Sequence, residues 1–127
     1  MPVKYTIDNK QKAVFTKLYG TLTLQECIDH HRRLEADPDF DPAYCELIDG
    51  GEVESVGLNS SGIFELSSSC PFGPPARRAI YTSERSLYFG IARMFQALAG
   101  GKRGDIQVFR ELDKAIAWLG VELPSGD

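Results

Sequence analysis

Cys45-Glu46-Leu47-Ile48-Asp49 and, after a short loop, Asn59-Ser60-Ser61-Gly62-Ile63 form the stretch on which the fold of this chain turns. The first run is short, with an apolar centre, and Asp49-Gly50-Gly51 closes it, which is the pattern of a buried strand. The second run opens a helix. Asn and Ser are favoured N-caps, because their side chains accept hydrogen bonds from backbone N–H groups that have no intrahelical partner. Ile63, Leu66 and Cys70 then recur at near-helical spacing, so a helix is expected from about Ser60. A loop through Val53 and Val56 joins the two runs. Strand, loop and helix in this order are the unit of a sheet with parallel crossovers.

Towards the N-terminus, Val3, Tyr5 and Ile7 alternate with Lys4, Thr6 and Asp8 as in a half-buried strand. Asp8-Asn9-Lys10-Gln11 supplies a turn, and residues 13–19 read as a second strand, so the two make an antiparallel hairpin that ends at Gly20. Thr23 and Glu26 form a capping box, with Leu22 as a hydrophobic staple. Leu24, Cys27, Ile28, His31 and Leu34 fall on one helical face, and two Asp-Pro pairs beyond Asp37 end the helix.

Towards the C-terminus, Pro71-Phe72-Gly73-Pro74-Pro75 interrupts regular structure. Residues 78–82 read as a fourth strand, and Ser83 with Glu84 starts a helix. Leu87, Ile91, Met94, Phe95 and Leu98 make that helix's apolar stripe, and Gly100-Gly101 ends it. Residues 106–109 are a fifth strand. Leu112, Ala115, Ile116 and Leu119 form the buried face of a last helix, stopped by Gly120. The order is ββαβαβαβα: one α/β domain over residues 1–127, a mixed sheet of about five strands with about four helices, and a tail frayed from about residue 121.

The length of 127 residues suits a single core. With 14 basic against 18 acidic residues the net charge is −4, which argues against nucleic acid as a partner. No apolar stretch is long enough to span a membrane, and no signal-peptide zones precede the first strand. Cys27, Cys45 and Cys70 have neither paired nor metal-type spacing, so a reduced, cytoplasmic protein is expected.

Element order, length and the segment carrying Leu47-Ile48-Asp49 and Asn59-Ser60-Ser61-Gly62-Ile63 resemble the STAS domain of bacterial anti-sigma-factor antagonists. In that family a buried strand ending in Asp leads through a loop to Asp-Ser-Ser-Gly and a helix, and the first serine is phosphorylated. The resemblance implies Ser60 as the phosphoacceptor candidate, ahead of Ser61, with Asn59 and Asp49 flanking it. The family's Asp is Asn59 here, which keeps the capping ability and loses a carboxylate. Tyr88-Phe89-Gly90-Ile91-Ala92-Arg93-Met94-Phe95, with Gln107-Val108-Phe109-Arg110 and Ala117-Trp118-Leu119-Gly120, looks like the SpoIIAA-like branch of this fold. Many members of that branch have no assigned function.

The remaining side chains are weighed against packing roles. His30 and His31 point about 100° apart, which does not suit a shared metal on one helical face. His31 is expected to pack against the core and His30 to face solvent. Cys70 is the candidate reactive thiol. Arg77-Arg78 reads as a solvated strand edge. The acidic residues read as surface groups with no shared cleft. Phe72, Tyr88, Phe89 and Arg93 lie off the core stripes and are candidates for an interface or a ligand groove. No catalytic constellation, metal or cofactor is implied. The expected function is a non-enzymatic interaction or regulatory module, docking a protein partner or a second copy of itself as a homodimer. The alternative is a lipid- or nucleotide-binding carrier of the same fold.

Overall fold

A computed structural model describes residues 2–83 and 88–124. Its elements run β1 (Val3–Asp8), β2 (Ala13–Thr23), α1 (Leu24–Ala36), β3 (Cys45–Gly57), α2 (Ser60–Ser69), β4 (Arg77–Tyr81), α3 (Tyr88–Ala99), β5 (Asp105–Phe109) and α4 (Leu112–Leu119). The strands form one sheet in the order β1-β2-β3-β4-β5. β1 pairs antiparallel with β2, and every later neighbour is parallel. The expected mixed α/β sheet with order ββαβαβαβα is the observed one.

Strand alternation divides the chain into two layers. Ile48 and Ile80, partners on β3 and β4, pack with Leu18, Leu22 and the α3 residues Tyr88 and Ala92. Leu47 and Ala79, one position earlier, pack on the other face with Ala115 of α4. The crossover helices α1, α2 and α3 therefore cover one face, and α4 covers the other. Val14, Leu34, Cys70, Phe72 and Ala76 close the end of the helical layer.

Local chemistry sets the boundaries. Thr23 Oγ1 accepts from the Glu26 N–H at 3.3 Å and caps α1, with the buried Leu22 beneath it. Gly120 ends α4 at φ 71°, its N–H reaching the Ile116 carbonyl.

Several expectations are corrected. β3 does not close at Asp49-Gly50-Gly51 but runs to Gly57, so the region of Val53 and Val56 is strand. The glycines are there for packing: a Cβ on Gly50 would lie 2.6 Å from the Tyr88 ring, and one on Gly51 would lie 2.8 Å from the Tyr81 ring. β2 likewise continues past Gly20, absorbing it as a bulge in its pairing with β3. On α3, Met94 and Leu98 are exposed, whereas Tyr88 and Ala92 are buried. Leu87 and Glu84 lie outside the described residues. The tail is not frayed at residue 121: Val121 is buried, and the Gln11 side chain bonds both the N–H and the carbonyl of Glu122.

Gly50→Ala is expected to lower stability by about 1–3 kcal/mol, because the rigid strand must push the Tyr88 ring aside. Gly90→Ala, in an exposed turn of α3 with nothing within 4 Å of the new methyl, is expected to raise it by up to about 1 kcal/mol. Urea denaturation of the two variants checks both signs.

Candidate functional site

Glu46 sits in the middle of an apolar strand, where a lone carboxylate would be costly. Its strand partner Arg78 lies beside it on β4. Both side chains are almost fully buried, with Glu46 1% and Arg78 2% exposed. Glu46 Oε1 accepts from Arg78 Nε at 3.0 Å and from Nη2 at 2.8 Å. Glu46 Oε2 accepts from the Thr16 hydroxyl on β2 at 2.7 Å. Arg78 Nη1 donates to Cys70 Sγ at 3.0 Å and to the Arg103 carbonyl at 3.2 Å. Phe72 lies 4.4 Å from the guanidinium, measured to the ring centre. The expected solvated edge at Arg78 is thus corrected, and so, at Glu46, is the expectation that the carboxylates lie at the surface. The candidate reactive thiol, Cys70, is buried in this network.

The pair forms part of the wall of a half-open cavity of about 80 Å³ between the sheet and helices α1, α2 and α3. Thr16, His30, His31 and Tyr88 contribute further polar groups. The rest of the lining is largely apolar, including Leu18, Ile48, Ile63, Leu66, Ile91 and Phe95. Tyr88, an off-stripe aromatic in the sequence, is therefore a cavity residue, and burial pushes its phenol pKa up.

His30 departs from expectation, whereas His31 is the expected partly buried packing histidine. His30 is buried, 6% exposed, its ring tilted against that of Tyr5 of β1 with 5.5 Å between centres. Its Nδ1 is buried with no hydrogen-bond partner among the described residues. His31 faces α2, where Nδ1 bonds the Ser69 hydroxyl at 2.9 Å. α1 contacts the sheet on one side and α2 on the other, so its buried arc is wide enough to take both rings. Burial pushes the His30 pKa down to about 4, Glu46 pulling the other way and Arg33 and Arg78 adding to the fall. Burial, then His30, Arg78 and Arg103, push His31 down to about 3. Both imidazoles are neutral at pH 7. Cys27, also on the cavity wall, is held as the thiol, with its pKa raised to about 11 by burial and then by Glu26.

The second candidate region is the start of α2. Asn59 is the N-cap: its Oδ1 accepts from the Gly62 N–H at 2.8 Å. Ser60 and Ser61 follow in the first turn, and both are exposed. Asp49 lies back along β3, its carboxylate taken up by the Gly51 N–H at 3.0 Å. Phe64 stands one turn after Ser60 and is 61% exposed. The remaining interface candidates separate. Phe72 is core. Phe89 is partly buried, with the Arg110 guanidinium 3.9 Å from its ring centre and that of the exposed Arg93 at 5.8 Å.

Sequence reasoning missed Glu46, Arg78, Thr16 and His30 as a group. The signal was present: a Glu inside Cys45-Glu46-Leu47-Ile48 and an Arg heading Arg78-Ala79-Ile80 are opposite charges in two buried strands, and each needs the other. Among the described residues, no group of three or more His, Cys, Asp or Glu is placed to hold a metal ion, and no helix is long and apolar enough to cross a membrane.

Glu46→Gln is expected to cost about 3–5 kcal/mol, since it leaves Arg78 buried and unpaired, whereas the double change Glu46→Leu with Arg78→Met is expected to recover most of that loss. Chemical denaturation of the single and double variants checks this. Stability is also expected to fall as pH drops from about 6.5 towards about 4. Over that interval the unfolded histidines bind protons while the folded ones resist, so the unfolded state gains. Urea midpoints measured between pH 7 and pH 5 should slope downward in the natural chain and much less in a His30→Gln, His31→Gln variant.

No protein-family model matches this chain, and no curated protein matches it. Among solved structures it is similar to an uncharacterised protein of the DUF3478 family from Shewanella loihica PV-4, described as having a SpoIIAA-like fold. The two are 21% identical, with a TM-score of 0.61, over 92% of this chain and 93% of that one. The expected fold is the observed one: the chain has a SpoIIAA-like fold.

Proposed function

We propose that this chain is a non-enzymatic regulatory module that docks a protein partner on the exposed face of α2, with phosphorylation of Ser60 releasing it. The observation that carries this reading is the pairing of Ser60 with Phe64. Residues four apart share a helical face, both are exposed, and Phe64 is the most exposed large apolar side chain among the described residues. α3, which packs against α2, adds the exposed Met94 and Leu98 on one of its own faces. A phosphate on Ser60 would bring about −1.5 to −2 charges at pH 7. At a helix start that charge is favoured by the dipole, so α2 would persist while an apolar contact one turn away is repelled. Ser61 lies on a neighbouring face and is the lesser candidate.

The non-catalytic part of the reading is supported by how the polar groups are engaged. Glu46, Arg78 and Cys70, the groups with chemistry to offer, are bonded to one another. Three free cysteines accord with a reducing, cytoplasmic setting. The partner is a different protein or a second copy in a homodimer. A small-molecule role is favoured by a separate observation, the cavity with the unpartnered His30. Its volume of about 80 Å³ is far below the roughly 300 Å³ of ordinary ligand pockets, which disfavours a nucleotide or a whole lipid.

A photo-crosslinking phenylalanine analogue placed at position 64 of the full chain, in the cell that makes it, is expected to give one dominant protein adduct. The same probe at the exposed Glu54 on β3 should give none, and Ser60→Asp should remove the adduct at position 64. An adduct of twice the chain mass would identify the partner as a second copy. Equal labelling from both positions, or an adduct indifferent to Ser60→Asp, would overturn the reading.

A further inference from the structure

We propose that Phe89, Arg93 and Arg110 form a binding site for a phosphate monoester in its dianionic form. The inference rests on these three residues and is independent of docking at α2. Place, charge and donor geometry each support it.

Place comes first. β4 and β5 run parallel and end side by side at Tyr81 and Phe109. From there the chain leaves to opposite faces of the sheet, through α3 after β4 and through α4 after β5. Connections that part in this way mark the edge at which open α/β sheets bind ligands. Phe89 lies in the first described turn of α3, and Arg93 stands one turn later on the same helical face. Arg110 is the first residue beyond β5, and α4 turns the positive end of its dipole to the same edge.

Charge comes next. The Arg110 and Arg93 guanidiniums lie 3.9 and 5.8 Å from the centre of one ring, that of Phe89. They are thus within about one Debye length of each other, and salt leaves much of their repulsion in place. Neither has an ion pair or a hydrogen bond among the described residues. Glu111, next to Arg110 in the chain, is bound to Lys114 at 2.8 Å. A chain with 18 acidic residues against 14 basic ones leaves these two cations uncompensated, and a bound anion relieves them.

Donor geometry selects the anion. Each guanidinium presents a planar fork of N–H donors. A carboxylate has one charge and one pair of oxygens, enough for one fork. A phosphate monoester carries about −1.5 to −2 charges at pH 7 and three acceptor oxygens, enough for both. The Phe89 ring holds the two long side chains near each other before binding, which lowers the cost of ordering them. The net charge of −4 disfavours a polyanion such as nucleic acid as the ligand.

The test is a titration of the full chain at constant ionic strength, followed by the Nε–H NMR signals of its arginines. The probes are methyl phosphate, methyl sulfate, which has the same shape and a single charge, and acetate. Methyl phosphate is expected to give saturable shifts at Arg93 and Arg110, and none of comparable size at the exposed Arg32 and Arg77. Methyl sulfate and acetate should each bind at least about tenfold more weakly. Arg93→Gln and Arg110→Gln should each weaken methyl phosphate by about tenfold, and both positions are exposed, so the fold is expected to survive. Arg110→Lys keeps the charge, loses the fork and should recover only part of the affinity. An uncharged peptide carrying one phosphoserine separates the sources of the group. Binding no tighter than that of methyl phosphate would support the site with a free ester as its ligand. Tighter binding would support it with the phosphate on a protein side chain. Equal binding of methyl phosphate and methyl sulfate, shifts that do not saturate, or equal shifts at Arg32 and Arg77 would overturn the inference.

Discussion

The bond between Glu46 and Arg78 organises the helical side of this domain. It ties β3 to β4 directly, reaches β2 through Thr16, and holds the residue after α2 through Cys70 and the turn before β5 through the Arg103 carbonyl. Two rings, Phe72 and Phe95, lie within cation–π distance of the guanidinium. Buried ion pairs contribute little net stability over a well-packed apolar substitute. What this pair supplies is position. Parallel strands rich in Val, Ile and Leu slide easily in pattern, and a one-residue slip would place two charges against the wrong face. With the pair formed, the register of β3 on β4 has one solution.

The same constraint explains the cavity. Polar groups gathered around the pair interrupt what would otherwise be continuous aliphatic packing, and rigid elements on three sides do not collapse to close the gap. The Tyr88 ring packs on Gly50, in space that a side chain there would have taken. Among the described residues the exposed large apolar side chains lie elsewhere: Phe64 on α2, Met94 and Leu98 on α3, and Leu123 after α4. Internal space and external contact surface thus share α2: Ile63 and Leu66 line the cavity, and Ser60 and Phe64 face outward.

Much of the architecture was legible in the sequence because it rests on local signals. The capping box at Thr23, the cap at Asn59 and the stop at Gly120 each mark a boundary through one hydrogen-bonding or conformational need, and each appears where the residues put it. The misreadings arise where a long-range partner overrides a local meaning. Gly50-Gly51 reads as a strand end until two tyrosine rings are packed on it. Arg78 reads as solvated until Glu46 is placed opposite. His30 reads as exposed because periodicity assigns one buried face to a helix that here touches both a sheet and a neighbour. The candidate site is built almost wholly from such partners, which is why Ser60, a residue with a local signature, was visible and His30 was not.

The layer under α4 has its own consequence. Trp118, the single tryptophan, packs at a tilt against Phe109 with 5.6 Å between ring centres and carries the Arg77 guanidinium 4.1 Å from its ring centre. It lies on the side of the sheet away from the cavity and from the exposed helix faces. The protein's tryptophan fluorescence is therefore an optical record of one layer only. Events in the opposite layer reach that signal only if the whole sheet responds, so a silent tryptophan is no sign of an idle molecule.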